Sequence, residues 1–208
     1  MQNPIKKLNN LKELIEELKR DGIKNQKILE AFEKYPRELF VSTDVKNFSY
    51  QNSPLPIGYS QTISQPYIVA YMTEKLEIKP EDRVLEIGTG SGFQTAILSY
   101  LAKEVFSVER IRELYESAKK RLEELGINNV KLKLGDGKEG WLEYSPFDKI
   151  MVTAAAKEMP DELLLQLRNG GIAIAPVGDY MQYLYIYKKR DNKIEKIRDI
   201  AVSFVPLI

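Results

Sequence analysis

Between residues 83 and 176 the sequence alternates short apolar runs with segments whose apolar residues recur every three or four positions. The short runs have the length of β-strands, and the segments between them have the period of amphipathic helices. Strands that alternate with helices pair in parallel, because a helical crossover returns the chain to the same end of the sheet. The pattern predicts an α/β fold with a mostly parallel sheet and helices on both faces. The predicted strands are Arg83–Ile87, Val105–Val108, Val130–Leu134, Lys149–Thr153 and Ile172–Pro176, and the predicted helices are Phe93–Leu101, Ile111–Leu125 and Asp161–Leu167.

The segment before this alternation has a different character. Amphipathic helices are predicted at Leu8–Arg20 and Gln26–Tyr35, and a third from Pro66 to Leu76. Residues 42–66 are rich in Ser, Asn, Pro, Gly and Gln and show little periodicity. A long irregular stretch within a small domain is often functional. We therefore expect part of the functional site in this stretch.

The composition excludes several kinds of chemistry. The 208 residues include neither cysteine nor histidine, which excludes disulfides, thiol nucleophiles, Cys/His zinc sites and histidine bases. The net charge of +1 gives no general attraction to nucleic acid or to an acidic membrane. No apolar run reaches the roughly 18 residues needed to cross a bilayer. We expect a cytoplasmic protein that binds no metal and works with carboxylates, hydroxyls, amides and backbone groups.

A glycine-rich run, Gly88-Thr89-Gly90-Ser91-Gly92, follows the first predicted strand and leads into a helix. Glycines let the backbone turn sharply and approach a ligand closely. Glu109 ends the next strand, where a carboxylate can accept hydrogen bonds from both hydroxyls of a ribose. Asp136 follows the third strand and could accept from an adenine amino group. Two alternatives stay open: a turn that needs glycine only for its geometry, and an Asp136 that is only a turn residue.

Three motifs, Glu86–Gly92, Ser107–Arg110 and Gly135–Gly137, resemble the successive motifs of class I S-adenosylmethionine-dependent methyltransferases, whose fold is Rossmann-like. The G-x-G-x-G spacing differs from the G-x-G-x-x-G of dinucleotide-binding proteins, and no separate substrate domain remains for an NAD(P) enzyme. The resemblance implies that S-adenosylmethionine is bound and S-adenosylhomocysteine is formed. The cofactor contacts that it implies are Glu86, Gly88, Gly90, Ser91, Glu109, Arg110, Asp136 and Gly137.

The stretch from Pro56 to Pro66, with the sequence PIGYSQTISQP, identifies a narrower family. It closely resembles the signature of protein-L-isoaspartate O-methyltransferases, and the serine of that signature matches Ser64. The likeness covers nearly the whole chain in order, and the serine loop and the Phe204–Leu207 ending are its most specific parts. Further matching segments are Pro36–Val41, Ser107–Ile111, Pro146–Asp148, Val152–Ala156 and Pro176–Gly178.

This resemblance implies repair of damaged proteins and peptides by methyl transfer to the free α-carboxylate of L-isoaspartyl residues. A carboxylate has a pKa of about 4 and is ionised at pH 7, so that this reaction needs no general base. Ser64 is expected to orient the carboxylate without forming a covalent intermediate. The loop is expected to cover the cofactor through Gln61, Thr62, Ile63 and Ser64. The expected substrate contacts are Ile57, Ser64, Thr153, Ala154 and Val205.

Several of these residues also have simpler interpretations. Ser64 could cap the helix that begins at Pro66. Val202–Pro206 could be an edge along which an extended peptide lies, or an ordinary edge strand shielded by its proline. The small residues Ala154–Ala156 could leave room for a peptide or could simply pack closely. Longer members of the family continue past the Pro-Leu ending, whereas this sequence stops at Ile208, so any cofactor contact from that extension is expected to be missing or replaced.

We expect one methyltransferase domain over residues 1–208. Its parts would be the N-terminal helices and active-site loop (1–66), the cofactor-binding core (67–178) and a C-terminal antiparallel hairpin (179–208). The hairpin is predicted from the β-rich runs Tyr183–Lys188 and Ile197–Val205. A methyltransferase acting on RNA and a non-catalytic cofactor-binding subunit are the rival interpretations. A basic face or an added RNA-binding module would favour the first, and loss of Ser64 or of the glycine run the second. The sequence leaves monomer and homo-oligomer equally open.

Overall fold

The structure is a computed structural model that describes residues 10–207. Leu8, the predicted start of the first helix, lies outside the described residues. The α-helices within this range are α1 (Leu11–Arg20), α2 (Gln26–Lys34), α3 (Pro66–Lys75), α4 (Phe93–Leu101), α5 (Arg112–Glu124) and α6 (Asp161–Leu165). The strands are β1 (Leu55–Gly58), β2 (Gln61–Ile63), β3 (Arg83–Ile87), β4 (Glu104–Glu109), β5 (Val130–Leu134), β6 (Phe147–Val152), β7 (Leu167–Val177), β8 (Gln182–Arg190) and β9 (Lys193–Val202). Among residues 10–207, no helix is long and apolar enough to cross a membrane.

The main sheet has seven strands in the order β5-β4-β3-β6-β7-β8-β9. The strands from β5 to β7 in this order pair in parallel, and β8 is antiparallel to both of its neighbours. The chain moves outward from β3 through β4 to β5 and then returns to β6 on the other side of β3. The carboxyl ends of β3 and β6 therefore lie side by side at a switch point, where sheets of this kind bind ligands. The mostly parallel α/β sheet with a C-terminal antiparallel hairpin is confirmed.

Both faces of the sheet are buried. Consecutive residues of a strand point to opposite faces. Val84 of β3 accordingly packs with side chains of α3 and α4, such as Met72 and Leu98. Its neighbour Leu85 packs on the other face with a cluster that includes Leu163 of α6. The predicted covering of both faces is thus confirmed, with the longer helices on the side of α3 and α4.

The N-terminal helices pack against the start of α4. The rings of Phe32 in α2 and of Phe40 both contact the ring of Phe93, with centroids 5.3 Å apart in each pair. Phe93 is the first residue of α4 and directly follows the glycine run. All three phenylalanines are buried, so that their contacts contribute to the hydrophobic core. This packing fixes the N-terminal layer beside the glycine run.

The second strand of the C-terminal hairpin differs from its prediction. It covers Lys193–Val202, so the predicted edge strand at Val202–Pro206 is wrong. Beyond Val202 the chain leaves the sheet and bonds to Ala155. The Ala155 N–H donates to the Val205 carbonyl oxygen at 2.8 Å, and the Leu207 N–H donates to the Ala155 carbonyl oxygen at 2.7 Å. Pro206 lies between these bonds and has no N–H with which to continue a ladder.

The region predicted to be irregular contains a small hairpin. Strands β1 and β2 pair antiparallel, with Leu55 opposite Ile63. Their turn is formed by Tyr59 and Ser60, whose φ angles are 53° and 57°. Two-residue hairpin turns with positive φ at both positions usually contain Asn or Gly. The Tyr-Ser pair lacks that signal, which explains why the sequence did not predict the hairpin.

Candidate active site

One cavity lies at the carboxyl edge of the sheet beside β3 and β6. Every predicted site residue except Glu86 and Asp136 lines it. The predicted residues that it brings together are Ile57, Gln61, Thr62, Ile63, Ser64, Gly88, Gly90, Ser91, Glu109, Arg110, Gly137, Thr153, Ala154 and Val205. Three parts of the chain that are distant in sequence therefore form walls of the same cavity. They are the loop that contains the hairpin β1–β2, the glycine run and the C-terminal segment after β9.

The glycine run needs glycine for two different reasons. Gly88 and Gly90 have φ angles of +97° and +55°, which disfavour residues with a side chain. A Cβ atom at Gly88 would also collide with Oγ1 of Thr153. At Gly90 the nearest atom to such a Cβ is Cδ1 of Ile57, at 3.4 Å. Ile57 of the hairpin loop thus lies over the glycine run, so that the loop forms the roof of the cavity at this point.

Glu109 is held by backbone groups at the end of β4. Its Oε2 accepts from the Gly90 N–H at 2.8 Å, and its Oε1 accepts from the N–H groups of Arg110 and Ile111, each at 2.8 Å. Three such bonds fix the orientation of the carboxylate. An ionised carboxylate has about four acceptor positions, so it can still accept from a ligand hydroxyl. This geometry suits a ligand that carries hydroxyl donors.

Glu86, which is predicted to contact the cofactor, does not line the cavity. It lies in β3 between Leu85 and Ile87, both of which belong to the cluster on the face of α6. Strand alternation therefore turns the Glu86 side chain to the opposite face, under α4. There its Oε2 accepts from the hydroxyls of Thr95 and Ser107, each at 2.6 Å.

The buried Glu86 is connected to the glycine run by hydrogen bonds. Its carboxyl group is fully buried, and Oε1 has no hydrogen-bond partner among residues 10–207. Burial raises the pKa of Glu86 to about 8, although the hydrogen bonds from Ser107 and Thr95 act in the opposite direction. The Ser107 hydroxyl also bonds to the Thr89 hydroxyl at 2.6 Å. Because Thr89 lines the cavity, this chain of polar groups connects Glu86 to the cavity wall.

Asp136 is placed at the edge of the site rather than on its lining. Its Oδ1 accepts from the Lys138 N–H at 2.9 Å and caps a short 3-10 helix, Gly137–Glu139. This bond agrees with the interpretation of Asp136 as a turn residue. The neighbouring Gly137 does line the cavity, and a Cβ atom there would collide with Cγ2 of Ile87. Close packing between Gly137 and Ile87 thus requires glycine at this position.

Ser64 does not cap the helix that follows it. The capping position of α3 is Gln65, and no side chain makes a capping bond there. The Ser64 hydroxyl bonds to no other group of residues 10–207, whereas its carbonyl oxygen accepts from Nη2 of Arg37 at 3.0 Å. The half-buried hydroxyl is therefore available to a ligand. The capping interpretation of Ser64 is wrong.

A second groove adjoins the cavity on the side of residues 201–205. Its own lining includes Pro54, Gln65 and residues 201–203. Ser64 and Thr153 line both the cavity and the groove. The Thr153 hydroxyl donates to the carbonyl oxygens of Ile87 and Gly88, so that its proton is directed away from the groove. Thr62 lines both as well, so that Ser64 and Thr62 are the residues at this boundary whose hydroxyls bond to no other group of residues 10–207.

Several lining residues were not predicted as site residues. The polar ones are Thr89 and Gln94, and the apolar ones are Ile68, Val69, Met72, Ile87, Phe93, Val108, Ile111, Leu114, Phe204, Pro206 and Leu207. Ile111 and Leu114 follow Glu109 at the start of α5. Apolar residues shortly after an acidic residue that ends a strand could have been predicted to line the cavity. Arg37, whose guanidinium is buried beneath the hairpin loop, was also missed. Its only sequence signal is the Pro36–Val41 segment, which carries no chemistry by itself.

The chain matches the family model described as protein-L-isoaspartate(D-aspartate) O-methyltransferase over residues 9–208. It is 54% identical to the protein-L-isoaspartate O-methyltransferase of Dictyoglomus turgidum over 197 residues, which covers 94% of this chain and 90% of that protein. It is also 49% identical to the enzyme of the same name from Photorhabdus laumondii over 198 residues, covering 95% of each chain.

Solved structures show the same similarity. A structure named protein-L-isoaspartate O-methyltransferase superposes with a TM-score of 0.88 at 32% identity, covering 95% of this chain and 65% of that one. A protein from Plasmodium falciparum, described as a putative protein-L-isoaspartate O-methyltransferase in complex with S-adenosyl-L-homocysteine, gives a TM-score of 0.85. The identity is 28%, and the match covers 97% of this chain and 99% of that one.

Proposed function

The chain belongs to the protein-L-isoaspartate(D-aspartate) O-methyltransferase family, and we propose that the cavity beside β3 and β6 binds S-adenosylmethionine while Ser64 orients the acceptor carboxylate. The protein is an S-adenosylmethionine-dependent methyltransferase. It transfers the methyl group to the free α-carboxylate of L-isoaspartyl residues in damaged proteins and peptides. The remaining question is which residues of this chain perform each part of that reaction.

The residues of the cavity fit S-adenosylmethionine. The fixed carboxylate of Glu109 can accept from the ribose hydroxyls, since three backbone N–H groups leave it spare acceptor capacity. At Gly90 the absence of a side chain lets the ligand approach the backbone. Ile111 and Leu114 offer an apolar surface to the adenine ring. The Glu86 carboxyl lies outside the cavity and is assigned no contact with the cofactor.

For this reaction the protein mainly has to position the acceptor carboxylate and the methyl group. When bound, S-adenosylmethionine supplies a methyl group attached to a positively charged sulfur. The acceptor carboxylate is ionised at neutral pH, so no residue has to remove a proton from it. Ser64 donates one hydrogen bond to this carboxylate and holds it in line with the methyl group. Holding two reactants in the productive geometry can supply several kcal/mol of rate acceleration.

The observation that carries this proposal is the place of Ser64 on the wall shared by the cavity and the adjoining groove. A methyl donor in the cavity and a peptide in the groove would meet at this boundary. Residues 201–205 form the far side of the groove, and the Ala201 and Ser203 side chains are small. A groove of this kind accepts many flanking sequences, as a repair enzyme must. Ile57, Ala154 and Val205 are the further residues proposed to contact the substrate.

Transfer of a labelled methyl group to two synthetic peptides tests this function. The peptides are identical except that one contains an isoaspartyl and the other an aspartyl linkage. We expect label only on the isoaspartyl peptide, and its release by mild base, as for a methyl ester. Equal labelling of both peptides, or cofactor binding without labelling of either, would refute the assigned acceptor, and an RNA acceptor would then be tested.

A further inference from the structure

Arg37 is a buried cation without a carboxylate partner. Its side chain is 1% exposed, and no ion pair within residues 10–207 includes it. Burial lowers the pKa of Arg37 to about 9, so that the guanidinium remains charged at neutral pH. Removing an isolated charge from water is costly unless hydrogen bonds compensate for the lost hydration. The contacts of Arg37 must therefore be favourable enough to keep it in place.

The guanidinium donates only to backbone carbonyl oxygens, and these belong to two separated segments of the chain. Three acceptors precede the hairpin β1–β2, one is in the last residue of β2, and one directly follows it. Nη1 contacts the first segment, and Nη2 contacts both. The acceptors are the carbonyl oxygens of Ser49 (2.9 Å), Gln51 (3.5 Å), Ser53 (2.9 Å), Ile63 (3.3 Å) and Ser64 (3.0 Å).

We propose that Arg37 is a positioning residue for methyl transfer, which fixes the Ser64 backbone by joining the two ends of segment 49–64. This inference rests on the orienting role proposed for Ser64. The Ser64 hydroxyl has no partner among residues 10–207, so its location depends on its backbone. That backbone lies between the bond from Arg37 and the first turn of α3, which begins at Pro66. Loss of the guanidinium would leave Ser64 anchored on one side only.

The planar fork of arginine explains why lysine cannot replace it here. Nη1 bonds to two of the carbonyls before the hairpin, while Nη2 bonds at the same time to one carbonyl before it and to the two at its end. A lysine ammonium carries three N–H donors on one nitrogen, but its side chain is shorter, so it does not reach the position of Nη2 and cannot make all five contacts. Arg37→Lys therefore keeps a positive charge but loses the connection between the two segments. This makes it a selective test of the connection rather than of the charge.

A double-mutant cycle with Ser64→Ala tests the inference. The variants are Arg37→Lys, Ser64→Ala and the double variant, with kcat and KM measured for an isoaspartyl peptide at saturating S-adenosylmethionine. The matched control is Arg83→Lys, because the Arg83 guanidinium also donates to a backbone carbonyl, that of Pro146, at the opposite end of β3. Thermal melting and cofactor affinity are recorded for every variant. If Arg37→Lys is unfolded at the assay temperature, Arg37→Gln replaces it at a lower temperature.

We expect Arg37→Lys to lower kcat about 10- to 100-fold in the wild-type background, because small displacements of a positioning group can cost that much. In the Ser64→Ala background it should lower kcat less than about threefold, since the positioned hydroxyl is already absent. Arg83→Lys should change kcat little in either background.

Two results would overturn the inference about Arg37 alone. One is a slow Ser64→Ala variant together with an unchanged kcat in Arg37→Lys. The other is an equal loss from Arg37→Lys in both backgrounds, which would indicate a general structural role. Normal turnover in Ser64→Ala would instead refute the orienting role of Ser64, and this inference would fail with it.

Discussion

The hydroxyl of Thr153 occupies the space in which a side chain at Gly88 would begin. Gly88 and Thr153 directly follow the neighbouring strands β3 and β6. The Thr153 hydroxyl donates to the Gly88 carbonyl oxygen at 2.7 Å and to the Ile87 carbonyl oxygen at 2.9 Å. This contact joins the two strands at the switch point of the sheet. It also determines how closely a ligand can approach the backbone there.

Gly88→Ala should weaken S-adenosylmethionine binding at least about tenfold, because the new Cβ displaces Thr153 and the glycine run. The matched control is Gly22→Ala, since Gly22 has a similar φ of +104° but nothing within 4 Å of the added Cβ. Both variants should lose about 1–2 kcal/mol of stability from backbone strain. Calorimetric titration and thermal melting separate the two effects. Tight cofactor binding by Gly88→Ala would contradict the assignment.

Ser64→Ala should lower kcat about 10²-fold and leave the affinity for S-adenosylmethionine nearly unchanged, as expected for the loss of one positioning contact. Ser60→Ala is a suitable control because Ser60 is exposed in the same hairpin loop and does not line the cavity. Steady-state kinetics and equilibrium cofactor binding are the measurements. A loss of cofactor affinity as large as the loss of turnover would show that Ser64 serves the cofactor instead.

Glu109→Gln should weaken cofactor binding about 10- to 100-fold, because hydrogen bonds to a charged group contribute about 1.5–3 kcal/mol. The amide would also place an NH₂ group opposite at least one of the N–H donors that now hold the carboxylate. Glu104→Gln, at the other end of β4 beside Lys131, should have no such effect. Equal cofactor dissociation constants for the two variants would argue against Glu109 as the ribose contact.

Gln182→Ala should raise the KM for isoaspartyl peptides about tenfold, with a smaller change in kcat, because the lost hydrogen bonds contribute about 1 kcal/mol each. The Gln182 amide bonds to both the N–H (2.6 Å) and the carbonyl oxygen (3.2 Å) of Phe204 and so holds the wall of the groove. The Gln166 amide likewise bonds to a main-chain N–H and a main-chain carbonyl oxygen, but Gln166 lines neither the cavity nor the groove. Gln166→Ala therefore serves as the control. An unchanged KM in Gln182→Ala would show that the segment around Phe204 does not contribute to peptide binding.

Glu86→Gln should alter how stability depends on pH. The folded pKa of about 8 lies above the ordinary value of 4.5, so that the folded protein holds the proton more tightly than the unfolded chain. The contribution of Glu86 to stability is therefore present below about pH 4.5 and falls as the pH rises to about 8. Glutamine mimics the protonated form and removes this loss. Melting temperatures between pH 5 and 8.5 should fall less in Glu86→Gln than in the exposed control Glu116→Gln, and parallel curves would contradict this.

The regular elements were largely predictable because each carries its own periodic pattern. The bounds predicted for β3, α4 and β5 are those observed. The hairpin β1–β2 was missed, since its turn residues Tyr59 and Ser60 take positive φ angles without the usual residue types. The end of β9 was misplaced because the change of partner to Ala155 is a long-range contact that no local pattern reports.

The candidate site was predictable where residues follow the ends of parallel strands. Gly88, Glu109 and Thr153 meet because neighbouring parallel strands end at the same edge. Glu86 was assigned by its position in a motif, and strand alternation turns it away from the cavity. Arg37 could not be predicted, because its contact with Ser64 joins residues that are far apart in sequence and the acceptors are backbone atoms.

The hydrogen bonds from Arg37 to both ends of segment 49–64 also make the position of Ser64 independent of the length of the hairpin tip. Because both ends of segment 49–64 are tied to one guanidinium, the distance between them does not depend on how many residues form the hairpin tip. Insertions or deletions between Gly58 and Gln61 would then change the reach of the tip over the cavity without displacing Ser64. We expect natural and designed relatives to vary in loop length at this tip, and to retain the arginine wherever the serine is retained.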